Sequence, residues 1–417
     1  MNIKKLLKIF SYFFSPIIIF LIIILRPIKK IRFSFISSQR LGDYSVSIEI
    51  YLCEKLLFKS NKYLDIFILT DKISNFTYTE LLKKKVIIYP NFITFPLYSV
   101  LLFLSKKFFF FKKFLFVLKN KDNNFSILQS KINFSPDSKF ITKGNNFLKK
   151  IGITEDDKII CLIVRDSNYL KKQFPYQDWN YHNYRNCDIN NYKLAINTAT
   201  KRGYYVLRMG QDNKEELTIP DNPRFIDYGK KFRTDFLDIF LAYKCSFCIT
   251  TATGWDFIPA FTFRKPVIFT NYTPVGDLLT YSKNFLFSIK IHYDIIKNKK
   301  LNLKEISQSL AAYGTSTELF ERENIKLLEN TPEDLEELTI EMMDRLENNF
   351  YISSEDKKLH DIFWLKYVQY FNLNNAKVDD GVKIEPLWCT SNRLYKGKII
   401  SNIGNKFLLK HKFLIEQ

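Results

Sequence analysis

Apolar and polar residues alternate along the chain in blocks that predict short buried strands separated by amphipathic helices. Residues 32–38, 63–70 and 85–89 are typical of strands in the first third of the chain. The pattern is clearer farther on, where the apolar run at residues 158–164 is typical of a strand buried in a parallel sheet. Strands that alternate with helices predict a parallel sheet covered by helices, and therefore an α/β fold.

This succession predicts two Rossmann-like halves in tandem. The chain has 417 residues, of which 46% are hydrophobic and 25% charged, so it is large enough for two cores and is not disordered. Residues 119–146 are polar and poor in strand formers, and we interpret them as a linker. We therefore expect an N-terminal domain over residues 33–145, a C-terminal domain over residues 146–350 and a helical extension over residues 351–417.

A membrane anchor with basic flanks is predicted at residues 1–32. Residues 9–25 are almost wholly apolar, with lysines before them and lysines and arginines after them. Since a span needs about 20 apolar residues, this run is compatible either with crossing the bilayer or with lying in one leaflet. No site of the small-x-small kind follows, which favours a retained anchor over a cleaved signal. Positive charge on both flanks leaves the orientation open.

A second stretch, residues 103–119, mixes phenylalanines with lysines. Basic and aromatic residues together suit a membrane interface. The lysines do not fall on one helical face, so a helix pair around a loop with solvated lysines is an equal alternative.

The net charge of +20 is concentrated near the N-terminus. Residues 1–150 hold 26 Lys and Arg against 8 Asp and Glu, whereas residues 151–417 hold 37 against 35. A strongly basic chain suggests nucleic acid, but a basic third beside an apolar anchor fits anionic lipid better. We expect an anionic membrane and no nucleic acid as partner.

Metal and cofactor signatures are weak. Cys245 and Cys248 form a C-x-x-C pair, but neither a second pair nor a nearby histidine completes a zinc set, and we interpret the pair as the entry to a buried strand. The sequence has no Walker A, G-x-G-x-x-G, H-E-x-x-H or G-x-S-x-G motif. We expect no metal and no cofactor.

Ligands of parallel sheets bind at the carboxyl ends of the strands, so the loops there are the candidate sites. The first such loop contains Arg40, Gly42 and Asp43. Gly42 would let the backbone approach a ligand closely. Asp43 has two interpretations, as the base that deprotonates an acceptor hydroxyl or as an ordinary helix cap.

Two arginines end separate predicted strands. Arg165 follows the strand at residues 158–164, and Arg208 stands just before Gly210. A diphosphate between two arginines would be held from two sides, because each guanidinium can make paired hydrogen bonds to phosphate. The alternative for such an arginine is a pair with aspartate that holds a loop.

The turn after the strand at residues 246–250 contains Thr251, Thr253 and Gly254. Pro259 is tolerated only in the first turn of a helix, so the helix over residues 255–263 should begin directly after this turn. Free amides at a helix start, with hydroxyl groups beside them, favour an anion site. A plain strand–helix turn is the alternative.

Several of these segments together resemble a bacterial family of glycosyltransferases found with surface-polysaccharide genes. The resemblance covers roughly residues 155–280 and is carried by the order and spacing of residues 165–170, 184–192, 203–210, 226–228, 238–241, 250–255 and 264–266. The loop from Arg40 to Tyr44 is similar to the opening loop of that family. The family has histidine after the glycine of this loop, and Asp43 departs from it.

The resemblance implies the GT-B architecture, with two facing Rossmann-like domains, distantly like fucosyltransferases or heptosyltransferases. It implies an acceptor on the N-terminal domain, a nucleotide-sugar on the C-terminal domain and no metal. We therefore expect a glycosyltransferase of EC class 2.4 that moves a sugar to a surface-glycan acceptor, lipid-linked, on the cytoplasmic face of the bacterial inner membrane. A transferase with another activated donor and a non-catalytic membrane-anchored scaffold are the alternatives.

Each candidate residue then has an expected role. Asp43 is the candidate catalytic base, and Arg40 and Gly42 are candidates for acceptor binding. The candidates for donor binding are Arg165, Arg208, Gly210, Thr251, Thr253 and Gly254.

Overall fold

The computed structural model describes residues 3–59, 62–120, 122, 124–213, 216–280, 282–371, 378–379, 382–383 and 399–416. The chain divides into two compact units. Unit 1 comprises Met1–Asn120 and Gln129–Ser135, and unit 2 comprises Lys121–Leu128 and Pro136–Gln417. The domain boundaries expected near residues 32, 145 and 350 stay a prediction.

Unit 1 is built on a parallel three-stranded sheet of order β1-β2-β3. Its strands are β1 (Lys30–Ile36), β2 (Tyr63–Leu69) and β3 (Ile87–Ile88). Its helices are α1 (Ile3–Leu25), α2 (Leu41–Leu57), α3 (Phe76–Lys83), α4 (Asn91–Lys107) and a 3₁₀ helix (Phe109–Phe114).

Helices α1 and α4 pack on the sheet of unit 1 through one apolar cluster. Ile19 and Ile22 of α1 join Leu97 and Leu101 of α4 around Phe33 of β1, and all five side chains are buried. The predicted anchor is therefore a helix that is packed on its own unit along one face. It is long and apolar enough to cross a membrane by length and composition, and its location in a membrane remains a prediction.

Unit 2 is built on a parallel sheet of seven strands. The strands that follow unit 1 along the chain are β4 (Ile159–Ile163), β5 (Tyr205–Arg208), β6 (Phe225–Ile226), β7 (Phe247–Thr250), β8 (Val267–Tyr272), β9 (Phe285–Ile289), β10 (Ile291–Asp294), β11 (Lys299–Lys300), β12 (Ile325–Leu328), β13 (Val378–Asp379), β14 (Val382–Lys383) and β15 (Asn402–Ile403). The order in the large sheet is β15-β9-β8-β7-β4-β5-β6, and every pair in it is parallel. The α/β class predicted from the sequence is confirmed.

The helices of this part of the chain are mostly short. The α-helices are α5 (Ser126–Gln129), α6 (Ser138–Lys150), α7 (Asn168–Gln173), α8 (Lys193–Lys201), α9 (Tyr228–Lys231), α10 (Asp235–Lys244), α11 (Leu303–Ser307), α12 (Thr317–Arg322), α13 (Pro332–Leu346), α14 (Ser354–Tyr370) and α15 (Asn405–Lys410). Single turns of other helical types lie at Asn180–Arg185, Ile189–Tyr192, Ile258–Thr262, Val275–Asp277, Leu310–Ala312 and Lys412–Ile415.

The strand order of the large sheet reverses at β4. The chain runs from β4 outward through β5 and β6, and then returns to place β7 on the other side of β4. From β7 the sheet grows outward again through β8 and β9 to β15. Such a reversal separates the loops after the two central strands and leaves a crevice between them at the carboxyl edge.

Two segments contain more structure than the sequence predicted. The expected linker at residues 119–146 includes most of α6, which Asp137 caps by accepting a hydrogen bond from the Phe140 amide at 2.9 Å. The segment after residue 351, where a helical extension was expected, also contributes the strand β15 to the large sheet. In both segments, packing partners far away in the chain stabilise the additional element, and local polarity does not reveal such partners.

We expect Gly144→Leu to destabilise unit 2. A Cβ atom at this position would lie 2.0 Å from Cε2 of Phe240, so α6 must move away from α10. Overpacking of this kind costs about 1–3 kcal/mol. Lys149→Leu, at an exposed position of the same helix, is the matched control. Thermal unfolding followed by circular dichroism should show a lower midpoint for the Gly144 variant alone, and equal midpoints would contradict the packing of α6 on α10.

Candidate functional site

The loops that follow β4 and β7 are joined at the reversal point of the large sheet. The Arg165 amide donates a hydrogen bond to Oγ1 of Thr251 at 2.9 Å, and the Thr251 amide donates to the Ile163 carbonyl at 3.3 Å. The first residues after two neighbouring strands are thereby fixed to each other. The backbone of the crevice at this edge is therefore held by paired donors and acceptors.

A second arginine, Arg185, reaches the same edge from the loop before α8. Its guanidinium donates a hydrogen bond to the Ala252 carbonyl, and the next loop residue but one, Cys187, donates its amide to the Arg165 carbonyl at 3.1 Å. Ala252 has a φ of +58°, a left-handed conformation that costs energy for a residue other than glycine. The backbone is thus held in an unfavourable conformation where Arg185 contacts it.

Arg165 and Arg185 both act electrostatically on Tyr184. Burial raises the pKa of the Tyr184 phenol, and the positive charges of Arg185 and Arg165 oppose that rise. Both guanidinium groups are therefore within electrostatic reach of one phenol. A third cation, Lys290, is buried beneath this loop and donates hydrogen bonds to the carbonyls of Tyr184 and Asn186 at 3.1 and 2.6 Å.

The Thr253 hydroxyl and the Gly254 amide both donate to Oδ1 of Asp256, at 3.0 and 2.5 Å. Asp256 is fully buried, and this burial raises its pKa. The helix predicted over residues 255–263 is wrong in extent, because the structure has only one π-helical turn, at Ile258–Thr262. The sequence assigned the Thr253 hydroxyl and the Gly254 amide to an anion at a helix start. In the structure these donors bond the carboxylate of Asp256.

Arg208, the second predicted arginine, is an interior residue. Its side chain is 4% exposed and its Nη1 lies 3.1 Å from Oδ2 of Asp227. This contact is the alternative given above for an arginine at a strand end, namely a pair with aspartate that holds a loop. Gly210 follows with a φ of +115°, and its carbonyl lies 2.3 Å from the position of a Cβ on Gly229, so the loops after β5 and β6 approach closely.

The loop after β4 is also joined to the loop after β5. Nδ2 of Asn168 donates to the Asp212 carbonyl at 2.6 Å, and the Asn168 amide donates to Oδ1 of Asp166 at 2.8 Å. The six residues predicted for donor binding, Arg165, Arg208, Gly210, Thr251, Thr253 and Gly254, therefore lie at one edge of one sheet. Their roles in binding remain predictions.

The three other predicted residues belong to unit 1. Arg40 is exposed and is the N-cap residue of α2, although its side chain makes no capping hydrogen bond. Gly42 is buried and Asp43 lies in the first turn of the helix. The interpretation of Asp43 as the cap is wrong, because α2 begins at Leu41. The position near the positive end of the helix still stabilises a carboxylate there.

Sequence reasoning did not single out Arg185, Lys290 or Asp256. Arg185 lies inside residues 184–192, one of the segments that carry the family resemblance, so it could have been found from that segment. Lys290 bonds the carbonyls of Tyr184 and Asn186, which are distant in sequence, so no local pattern marks it. Asp256 bonds its own turn, and the spacing of Thr253 and Asp256 is a local signal that could have found it.

The cysteines of the predicted C-x-x-C pair are buried, as expected for a strand entry. Cys248 lies on β7 beside Cys161 of β4, and Cys245 is buried as well. Within the part of the chain that the structure describes, no group of three or more His, Cys, Asp and Glu residues is arranged to hold a metal ion.

No family model and no curated protein sequence matches the chain. By structure it is similar to a glycosyl transferase family 9 protein from Veillonella parvula, with a TM-score of 0.37, 11% identity and coverage of 58% of this chain and 80% of that one. It is also similar to the Escherichia coli ADP-heptose LPS heptosyltransferase II, with a TM-score of 0.33, 12% identity and coverage of 57% and 84%. A third likeness is to the iron-containing dodecameric glycosyltransferase TibC from enterotoxigenic E. coli, with a TM-score of 0.30, 14% identity and coverage of 61% and 60%. All three TM-scores are below 0.5, so these likenesses do not define the activity of this chain.

We expect Arg208→Ala to lower the stability of unit 2 by about 3–5 kcal/mol, because it leaves the Asp227 carboxylate buried without its guanidinium. The double variant Arg208→Ala with Asp227→Asn should recover much of this loss, since it removes the orphaned charge. Arg224→Ala, whose side chain is 39% exposed, is the control. Urea unfolding measures the differences. A wild-type unfolding curve for Arg208→Ala would contradict the structural role and favour direct contact with the ligand.

Proposed function

We propose that the chain is a glycosyltransferase of GT-B type. It moves a sugar from a nucleotide-sugar donor to a surface-glycan acceptor that is lipid-linked, and it works at an anionic membrane. The two units correspond in this proposal to the acceptor side and the donor side, with the donor bound by unit 2.

The single observation that carries the proposal is the pair Arg165 and Arg185 at the reversal point of the large sheet. Ligands of doubly wound sheets bind at such a point. Arg165 comes from the loop after β4, and Arg185 is held by its bond to the Ala252 carbonyl after β7. Two arginines at one reversal point suit an anion with several oxygens, and a diphosphate is such an anion.

The chemistry needs positive charge where the donor breaks. The bond between the anomeric carbon of the sugar and the diphosphate oxygen is cleaved, and the diphosphate leaves with the electron pair. A new bond forms between that carbon and the acceptor oxygen, whose proton passes to a base. Fixed cations at the leaving group stabilise the transition state because they need no reorganisation during the reaction. Arg165 and Arg185 supply that charge, and the bonds of their loops hold the loop backbone in place.

The remaining residues have supporting roles in this proposal. Asp43 takes the acceptor proton, and Arg40 and Gly42 bind the acceptor in unit 1. Arg208 positions the loop of Gly210 through its pair with Asp227. Thr251, Thr253 and Gly254 shape the crevice floor, and their bonds to the Arg165 amide and to Asp256 keep that floor rigid.

Arg165→Ala and Arg185→Ala should each weaken binding of nucleoside diphosphates by about 1.5–3 kcal/mol, the usual contribution of a charge-assisted hydrogen bond. Lysine at either position should restore part of the affinity, because a point charge lacks the forked geometry. Arg224→Ala, just before β6 at the opposite edge of the sheet, should bind as the wild type does. Calorimetric titration of UDP, GDP, ADP and dTDP measures these affinities.

Circular dichroism provides the folding control for these variants. Equal affinities of the folded variants and the wild type would remove both arginines from the donor site. If the wild type binds none of the four nucleotides, the non-catalytic scaffold becomes the better hypothesis.

Asp43→Asn should abolish sugar transfer while leaving nucleotide binding unchanged, since the amide keeps the shape of the side chain but cannot accept the acceptor proton. Asp71→Asn, which alters an exposed carboxylate of the same unit, is the control. Transfer is measured with a radiolabelled donor and a membrane lipid extract as acceptor. Full transfer by the Asp43 variant would exclude Asp43 as the base.

A further inference from the structure

Three polar side chains, two of α1 and that of Arg26 just after it, lie on the face of the helix toward the protein. Ser15 is fully buried, Lys8 Nζ lies 4.9 Å from the centre of the Phe95 ring, and the guanidinium carbon of Arg26 lies 5.0 Å from the centre of the Phe114 ring. These positions recur at helical spacing, so they define one stripe along the helix. An ordinary surface helix of a soluble protein turns such a stripe toward water.

The opposite face of α1 is apolar and uncovered in unit 1. Seven apolar side chains of the helix are each at least half exposed, namely Ile9, Phe10, Phe13, Ile17, Phe20, Leu21 and Ile24. The distribution is the inverse of that in a soluble protein. An exposed apolar patch of this extent marks a surface that meets a membrane or another protein.

The apolar surface continues beyond α1 onto the segment after α4. Phe109 is 83% exposed and Phe108 is 56% exposed. This segment adjoins the end of α1, because Arg26 lies over the ring of Phe114 and the tilted rings of Phe110 and Phe114 have centres 5.7 Å apart. The interfacial interpretation of residues 103–119 thus gains support, since these phenylalanines point outward next to α1.

The charges around this apolar surface indicate which kind of partner, protein or lipid, contacts it. Residues 1–42 contain eight Lys and Arg, and residues 91–121 contain six, while neither segment contains a single Asp or Glu. A protein partner would match this surface only with an unusual excess of acid. The headgroups of anionic lipids supply negative charge beside an apolar layer, which is the complement of the surface.

We infer that α1 lies flat in one leaflet of an anionic membrane, together with the exposed phenylalanines at Phe108 to Phe110. The helix is about 34 Å long by its residue count, and its inner face stays packed from Lys8 to Arg26 on α4 and the segment after it. If α1 crossed the bilayer in this packing, α4 and β1 would be drawn into hydrocarbon beside it. The strand β1 carries Arg32, which pairs with Asp65 at 2.8 Å, and such a pair is costly there.

This inference rests on the membrane attachment proposed above but does not depend on sugar transfer. The sequence left open whether α1 crosses the bilayer or lies in its plane, and this inference selects the in-plane arrangement. It also adds a region outside α1 to the surface that contacts lipid, so that both parts can be tested separately.

The depth of α1 distinguishes the two arrangements. Phe10→Trp, Ile17→Trp and Ile24→Trp place a fluorophore at three points of the outer face, each seven residues apart. The full-length variants are reconstituted into vesicles of phosphatidylglycerol and phosphatidylcholine that carry doxyl groups at shallow or deep positions. We expect the three sites to be quenched equally, and more by the shallow label. The wild type gives the background from the four native tryptophans.

A spanning helix would give a different pattern in this experiment. The position at 17 would then lie about 10 Å deeper than the positions at 10 and 24. Preferential quenching of the tryptophan at 17 by the deep label would overturn the in-plane arrangement while leaving membrane attachment intact.

The second part of the surface is tested by Phe109→Asp. Tyr351→Asp is the matched control, because Tyr351 is also an aromatic residue that is 83% exposed but belongs to unit 2. Partitioning onto the same vesicles should fall about ten-fold or more for Phe109→Asp and stay near the wild-type value for Tyr351→Asp. Equal partitioning of both variants would remove Phe109 from the surface.

Two outcomes would reject lipid as the partner. If the wild type does not bind vesicles at all, both the membrane attachment and the in-plane arrangement are wrong. If analytical ultracentrifugation shows a detergent-free dimer that does not bind lipid, a second copy of the chain covers the surface. Neither outcome bears on nucleotide binding by unit 2, so failure here and failure of the proposed sugar transfer can be told apart.

Discussion

The parallel pairing of β4 with β7 is the constraint on which the candidate site depends. These strands are more than 80 residues apart in the chain, yet Cys161 pairs with Cys248 and Ile163 with Thr250 in register. The pairing brings Arg165 and Thr251 to one edge, where the amide of one donates to the hydroxyl of the other. Since Arg185 is held by the backbone of the same turn, its position follows from that pairing as well.

Much of unit 2 could be predicted from the sequence because its strands are buried on both faces. Continuous apolar runs mark such strands, and the sequence placed Arg165 and Thr251 in the loops that follow two of them. The helix after Gly254 could not be predicted, since Asp256 was counted as a helical residue while its carboxylate instead binds the turn behind it. The partner of Arg208 could not be identified from the sequence, because Asp227 reaches it from the end of another strand.

In unit 1, too, the sequence predicted an element but not its contacts. Composition alone identified α1 as apolar and basic at its ends, and the structure shows that helix packed on α4. Which side of a uniformly apolar helix faces the protein is not a property of periodicity, because few polar residues are present to mark it. Here the polar residues Ser15 and Lys8 lie on the face toward the protein, and only their burial and contacts with neighbouring elements show which face that is.

In the proposed function, the uneven charge distribution assigns different partners to the two units. The basic excess of the first 150 residues lies where a surface interaction with anionic lipid profits from many weak, screened attractions. Residues 151–417 are nearly neutral, with 37 Lys and Arg against 35 Asp and Glu. Among their cations, Arg165, Arg185 and the buried Lys290 belong to the loops at the crevice. A near-neutral unit with a few fixed cations can attract a diphosphate at one crevice without binding polyanions over its whole surface. If the proposals above hold, the basic first part of the chain contacts the membrane while the second part selects a small anion.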